Sequence, residues 1–390
     1  MKTIFKGREK VNMVCLKDPM GKVTDEIEAV DESEVIDGER DVDEGEADSG
    51  VIPWDDLCPV LSLLTICRLF NTNVFALGRA WKEKSVVGKW TKGAKGTSAD
   101  RSGGGTPHRY PQTFLRNPQY IFDVPVQEEE LVIQLIQWPL EVMDAETSHV
   151  PLAIAINVLQ IEENRKYRLH TLLDCCPLMV GCGPSSTREL FHRGFFSRGR
   201  FLLIPTTEVP GDSANYFLRI FSLNSDVKLR EVKRDYPVSC RFQFLESCFG
   251  QQIFVSSVTI KDAQGLKRQM GSCNPYCVVI CEGSKVKTEV RHNTKDPIWN
   301  MSFIFYRKKI DKPIVIRVYS HNFIMPDNFL GEAYFPALVN HTKAEIQTDL
   351  VNPKMKKRIG SGRSDSADSA TDNRGSITVE ILTEDDPMAV

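Results

Sequence analysis

Two long regions of this chain alternate apolar and polar positions with the two-residue period of half-buried β-strands. The later region opens with Ile253-Phe254-Val255-Ser256-Ser257-Val258-Thr259-Ile260, turns through Lys261–Lys267, and resumes at Cys273-Asn274-Pro275-Tyr276-Cys277-Val278-Val279-Ile280. Lys287–Val290, Met301–Tyr306, Pro313–Tyr319 and Asp327–Ala333 read as further strands, and Gly375–Leu382 as the last. The earlier region offers Leu131–Gln137, Leu152–Leu159, Tyr167–Thr171, Gly199–Thr207 and Ala214–Ser222. Strands at this spacing, with no helix between them, predict two tandem antiparallel β-sandwiches and a mainly β fold. The pattern sets the sandwiches at 96–245 and 250–385, the second carrying a Gly/Ser/Asp-rich flexible loop at 360–374 with many hydroxyls open to phosphorylation.

Residues 1–95 have a different texture. Lys10–Leu16 alternates like a strand, and Trp54–Phe70 has the broad apolar face of a helix with Pro59 near its first turn. Between them, Asp25 to Asp48 holds thirteen acids against the single cation Arg40. Such a block repels itself, so 22–49 is expected to be a solvated, disordered segment.

Composition narrows the function classes. A chain of 390 residues with 41% hydrophobic content is long enough for two or three packed domains. A net charge of -3 argues against nucleic acid as a partner. No apolar run reaches the roughly eighteen residues of a membrane span, and the first residues lack a secretory pattern, so a cytoplasmic protein with a peripheral place at membranes is expected. The eleven cysteines include no C-x2-C pair and are expected to be reduced thiols rather than bridges or zinc ligands.

Three words in the later region carry a family resemblance: Cys273-Asn274-Pro275-Tyr276, then Thr288-Glu289-Val290 with Asp296-Pro297-Ile298-Trp299-Asn300, then Asn328-Phe329-Leu330-Gly331. In this order over about a hundred residues they resemble the C2 domains, which implies an eight-stranded antiparallel sandwich whose end loops meet calcium or a membrane. The earlier region has Thr113-Phe114-x2-Asn117-Pro118-Gln119-Tyr120, Gly199-Arg200-Phe201-Leu202-Leu203-Ile204-Pro205-Thr206 and Phe217-Leu218-Arg219-Ile220-Phe221-Ser222. These are similar to the calpain-type β-sandwich, or domain III. The tandem of the two resembles the atypical, calpain five/six-like branch of the calpain family, calcium-dependent cysteine endopeptidases. The resemblance implies that 1–95 is a partial α+β remnant of the second papain-like protease lobe.

That implication has a catalytic consequence. Leu16-Lys17-Asp18-Pro19-Met20-Gly21 stands where the family's asparagine word belongs, with Asp18 at the asparagine's position. The family's cysteine and histidine words occur nowhere in the chain. A thiolate nucleophile needs a histidine to hold it and a third group to orient that histidine, so these residues by themselves are expected to be inactive. The abrupt start inside a lobe favours a truncated gene model or a product that has lost a domain. Three functions follow: the regulatory part of a calpain, a non-proteolytic adaptor on membranes or cytoskeleton, or a subunit whose protease lobe arrives in trans.

The C2-like loops depart from the family's chemistry. Calcium wants six to eight hard oxygens, mostly carboxylates. Alignment on the C2 words puts Arg268 and Asn274 at the first loop's acidic positions, and Ser320, Asn322 and Asn328 at those of the third loop, with Asp327 the one carboxylate left. Asn274, Asn322, Asp327 and Asn328 are therefore weak calcium candidates, no cofactor is required, and calcium binding here is expected to be weak or absent. The loops offer instead an apolar tip, Phe323-Ile324-Met325, and the cations Lys267 and Arg268. Apolar groups beside cations suit an anionic membrane surface, as well as protein partners. Lys285, Lys287 and Arg291, and the run Lys354, Lys356, Lys357 and Arg358, are further anion-binding candidates, each worth roughly 1 kcal/mol at an anionic surface.

Overall fold

The computed structural model describes residues 2–6, 9–17, 49–53, 59, 80–91, 103–137, 151–172, 177–236, 254–267, 273–336, 338–352, 374–386 and 388–389. The chain divides into two units, Met1–Phe70 and Asn71–Val390. In the first, β1 (Lys2–Lys6), β2 (Glu9–Lys17) and β3 (Ser49–Pro53) form an antiparallel sheet in that order. The predicted strand at Lys10–Leu16 falls within β2. Asp18, residues 22–48 of the acidic segment and nearly all of the 54–70 helix lie outside the described residues.

The second unit holds both sandwiches. The first is built from β4 (Lys82–Trp90), β5 (Tyr120–Gln137), β6 (Ile154–Ile161), β7 (Leu178–Ser185), β8 (Glu189–Thr207) and β9 (Ala214–Ser222), hydrogen-bonded in the order β4-β9-β5-β8-β6-β7. A two-residue strand, β10 (Arg230–Glu231), pairs with β5. The register between β5 and β8 breaks between Val124 and Glu128, and such a break bends a long strand. One core gathers Phe122, Leu131, Ile133, Leu135, Ile156, Val158, Phe201, Leu203 and Leu218. A smaller one joins Phe114, at the end of the short helix α1 (Pro111–Phe114), to Ile121, Leu159, Leu202 and Ile204. The run Phe201–Ile204 reads as continuous apolar sequence because its alternate residues enter these two different cores.

Two readings of this region are corrected, and one strand has no counterpart among the predicted ones. Lys82–Trp90, assigned above to the preceding segment, pairs along its whole length with β9 and so belongs to the sandwich. It is an edge strand in which Trp90 alone is fully buried, which is why its alternation is weak. Gly88 is required there, because a Cβ at that position would lie 2.2 Å from Tyr216 Cζ. Tyr167–Thr171 is irregular rather than a strand. Its polar groups are taken by the loop before β5: Leu169 N–H donates to Gln119 Oε1 at 2.9 Å, and Arg168 donates to the carbonyls of Leu115 and Asn117 at 2.8 and 3.0 Å. Strand β7 carries the glycines Gly181 and Gly183 and leaves most of its length exposed, so its sequence has no strand signature.

Among the described residues the second sandwich has eight strands in two antiparallel sheets, as the resemblance implied. One sheet orders β14 (Ile298–Arg307), β11 (Phe254–Gln264), β18 (Ser376–Glu384) and β17 (Ala344–Asp349). The other orders β13 (Ser284–Lys287), β12 (Pro275–Cys281), β15 (Ile314–Ser320) and β16 (Asn328–Phe335). Val258, Ile260, Val279, Phe303, Ile316, Val318, Phe335 and Val379 fill the space between them, with Cys273, Cys277 and Cys281 as buried thiols in the same core. The predicted strand at Lys287–Val290 is shifted: the strand is Ser284–Lys287. Thr288 follows it by bonding Cys277 through both its amide (3.0 Å) and its hydroxyl (2.8 Å).

Candidate membrane-docking site

Strand β15 ends at Ser320 and β16 starts at Asn328, and these two residues are register partners. The chain between them carries Phe323, Ile324 and Met325 at 99%, 96% and 68% exposure. Three consecutive large apolar side chains held this far into water are uncommon on a soluble surface.

The loop is closed by its own polar groups. Asp327 Oδ2 accepts the Tyr276 hydroxyl at 2.7 Å, while Oδ1 accepts the Asn322 amide at 3.0 Å and His321 Nδ1–H at 3.0 Å. A carboxylate only accepts, so the last contact selects the Nδ1–H tautomer of His321. The Tyr276 hydroxyl, backed by the Asn322 amide and His321, outweighs partial burial and holds the Asp327 carboxyl below its ordinary value. Asn322 Nδ2 donates to the Pro326 carbonyl at 3.0 Å, pinching the loop's base. Asn274 ties in the neighbouring chain: its Oδ1 accepts the Asn293 amide at 2.9 Å, and its backbone amide donates to Ser320 Oγ at 3.1 Å.

Of the four calcium candidates, Asn274, Asn322 and Asp327 thus lie in one hydrogen-bonded network, with Asn328 at its strand edge. Each Asp327 oxygen already has a partner. The group of His, Asp and Glu side chains close enough to share a metal, among the described residues, is His341, Glu384 and Asp385. It sits at the opposite end of β11, where Val255 pairs with Glu384.

Beside the loop, the outer face of the β13-β12-β15-β16 sheet is aromatic and cationic. Tyr276 stacks on Tyr319 with centroids 5.7 Å apart, and Tyr319 meets Phe329 edge-on at 5.6 Å. Lys287 Nζ lies 5.6 Å from the Tyr276 ring centroid. Lys285 and Lys287 are both exposed on this face, two residues apart on β13. Arg317 on the same sheet is neutralised by Glu332 at 3.0 Å. Arg291 is engaged inside the domain, donating to the Ile298 carbonyl at 2.7 Å and pairing with Glu289 at 2.6 Å. Lys267 is exposed in the loop after β11. Arg268, Lys354, Lys356, Lys357 and Arg358 lie outside the described residues. Sequence reasoning missed Tyr276, Tyr319 and His321 as parts of the site. The tyrosine of the Asn-Pro-Tyr word was the available signal for the first.

One thiol and imidazole meet in the first sandwich. Cys182 Sγ is 3.7 Å from His192 Nδ1. Burial pushes the thiol up and the imidazole down, which disfavours the thiolate–imidazolium pair that cysteine proteolysis needs.

Comparison with known proteins assigns both sandwiches. The family model of the calpain large subunit, domain III, matches residues 86–221, and that of the C2 domain matches 255–350. Mouse Calpain-5 is 32% identical over 340 residues, covering 85% of this chain and 51% of its own length. Rat Calpain-5 is 31% identical over 371 residues, with 93% and 55% covered. This chain has the C-terminal domains of an atypical calpain. It spans about half the length of the curated relatives it matches. A C2 domain of plant Extended Synaptotagmin 1 superposes with a TM-score of 0.28 and 19% identity, over 35% of this chain and 98% of that domain. In an atypical calpain, then, the apolar tip and the paired lysines belong to the C2 domain, and the Cys182–His192 contact to domain III. Among the described residues, no helix is long and apolar enough to cross a membrane.

Proposed function

We propose that this chain is the regulatory, membrane-docking region of a calpain-type cysteine endopeptidase and is itself without proteolytic activity. Its C2 domain docks on anionic membranes without calcium. The observation that carries this reading is the pairing of Asp327 with Tyr276, Asn322 and His321 beneath an exposed Phe323-Ile324 tip. In a calcium-switched loop, carboxylates converge on an ion and the loop takes its shape when the ion arrives. Here hydrogen bonds do that work, and the tip is presented in advance. Burying the Phe323 and Ile324 side chains among acyl chains contributes about 1.5–3 kcal/mol each at most. Lys285, Lys287 and Lys267 add roughly 1 kcal/mol each toward anionic headgroups. Together these reach the range of reversible peripheral binding.

The test is sedimentation of the full chain with phosphatidylserine/phosphatidylcholine vesicles, with calcium or with a chelator. Equal binding in both conditions, reduced at least tenfold by the double change Phe323→Ser/Ile324→Ser, is the expected result. Binding that appears only with calcium would overturn the calcium-independent reading. Binding untouched by the double change would remove the tip from the site. The reading also holds that proteolysis requires the cysteine and histidine of a protease lobe, in cis in a longer product or in trans.

A further inference from the structure

The C2 sheet β14-β11-β18-β17 ends at β14, so among the described residues one side of β14 has no strand partner. An open edge of this kind presents unpaired amides and carbonyls and is a template for unwanted pairing. Here three of these groups are taken by domain III. Glu163, in the turn after β6, donates its amide to the Ser302 carbonyl at 2.9 Å. Asn164 then uses its side-chain amide as a one-residue strand: Oδ1 accepts the Ile304 amide at 2.8 Å and Nδ2 donates to the Ile304 carbonyl at 2.8 Å. Three successive edge groups of β14 are satisfied by two residues of the other domain.

The turn that delivers them is held stiff. Glu162 and Arg165 flank Glu163 and Asn164, and their side chains pair at 2.6 and 2.8 Å with no exposure on either. Arg200 Nη1 donates to the Arg165 carbonyl at 3.1 Å. Next to the hydrogen bonds lies an aromatic seam. Tyr306 of β14 stacks on Tyr236 with centroids 4.1 Å apart and meets Tyr167 edge-on at 5.5 Å. Ile304 and its neighbour Val255 are buried although they face away from the C2 core. Arg198 of domain III adds an ion pair with Glu289 at 3.3 Å.

We infer that the Glu162–Arg165 turn of domain III closes the open edge of the C2 domain, with Asn164 as the closing residue, so that the two domains move as one block. The C2 domain then reaches its surface in an orientation set by domain III rather than swinging on the linker between them. This device is separate from the lipid-facing loop and survives if that loop proves not to bind membranes.

The Ile304 amide is a direct reporter, because it points away from β11 and has Asn164 as its acceptor. Hydrogen exchange of the full chain, resolved to single amides, is the measurement. Strong protection of Ile304 is expected, falling at least tenfold in Asn164→Ala. Asn164→Asp keeps an acceptor for the Ile304 amide and loses only the donor to its carbonyl, so it should retain more protection than the alanine variant. The Val279 amide, in the opposite sheet, should be unchanged in both and serves to detect general unfolding. Exchange of Ile304 in the native chain at the rate of an open edge amide would overturn the inference. So would equal protection in native and Asn164→Ala proteins. If Asn164→Ala lowers Ile304 and Val279 protection together, Asn164→Asp becomes the deciding variant, and Ile304 protection equal to native there, with Val279 intact, sinks the role of Asn164.

Discussion

The hydroxyl of Tyr276, on the second strand of the C2 domain, donates to Asp327 Oδ2 at 2.7 Å across a separation of 51 residues. This bond joins the aromatic face of the sheet to the base of the apolar tip. Tyr276→Phe keeps the stacking on Tyr319 and removes only the donor. Hydrogen bonds to a charged partner contribute about 1.5–3 kcal/mol, and this partly exposed one should lie at the lower end. Urea unfolding is expected to show a loss of about 1–2 kcal/mol, and NMR titration to show the Asp327 carboxyl moving up toward its ordinary value.

The pH dependence of the tip follows from the same carboxylate. Its native value lies below the unfolded one, near 3.9 for a free aspartate. The stabilisation is therefore fully present above that unfolded value and is lost only as pH falls through the depressed native one. Vesicle binding should be flat between pH 8 and pH 5. A midpoint within that range would show that another group controls the loop.

His341 behaves in the opposite sense. Its hydrogen bond to Glu384, at 2.5 Å, raises the imidazole above its ordinary value. The stabilisation is complete below the unfolded value, about 6.5, and disappears as pH rises through the native one. In His341→Gln the melting temperature should lose the part of its pH dependence that lies between neutral and mildly alkaline pH. Because His341 is exposed, the same dependence should weaken in high salt.

The Glu162–Arg165 pair gives a prediction about stability. Burial works to raise the Glu162 carboxyl, and the Arg165 guanidinium more than reverses it, leaving the group ionised. Removing one partner strands a buried charge, at about 3–5 kcal/mol. Arg165→Met is expected to destabilise the chain by that amount in denaturant unfolding. The double change Glu162→Gln/Arg165→Met should cost clearly less than the two single changes added together.

In domain III, Gly88 offers a simpler packing test. A methyl group at this position would enter the Tyr216 ring, which is itself packed against Trp90 at 4.4 Å. Overpacking of this kind costs about 1–3 kcal/mol. Gly88→Ala should lower the unfolding midpoint accordingly, and pairing it with Tyr216→Leu should recover part of the loss.

Much of the architecture was open to reading from residue order alone. Strands such as Ala214–Ser222 and Gly199–Thr207 announce themselves because one or both faces are buried, and burial demands apolar residues at a fixed period. The C2 resemblance implied eight strands, and alternation located them in outline apart from Ala344–Asp349, an edge strand with half its residues exposed. The tip was visible as three apolar residues between polar neighbours. Other edge strands fared no better. Lys82–Trp90 and Leu178–Ser185 bury little, so their sequences carry no period to detect, and Tyr167–Thr171 alternates for reasons unrelated to a ladder.

Partners are a different matter from periods. Alternation says which side of a strand is dry, and a carboxylate count says that calcium has few ligands here. Neither says that Asp327 is already held by Tyr276, nor that Asn164 reaches Ile304 across 140 residues. Those pairings depend on strand order, register and the docking of one domain on another. These are global properties, because each results from many weak contacts summed over the whole fold. The chain's own residue order determined where its sandwiches form and what its loops are made of. Only the folded packing decided which polar groups meet, and with them the fixed loop and the closed edge.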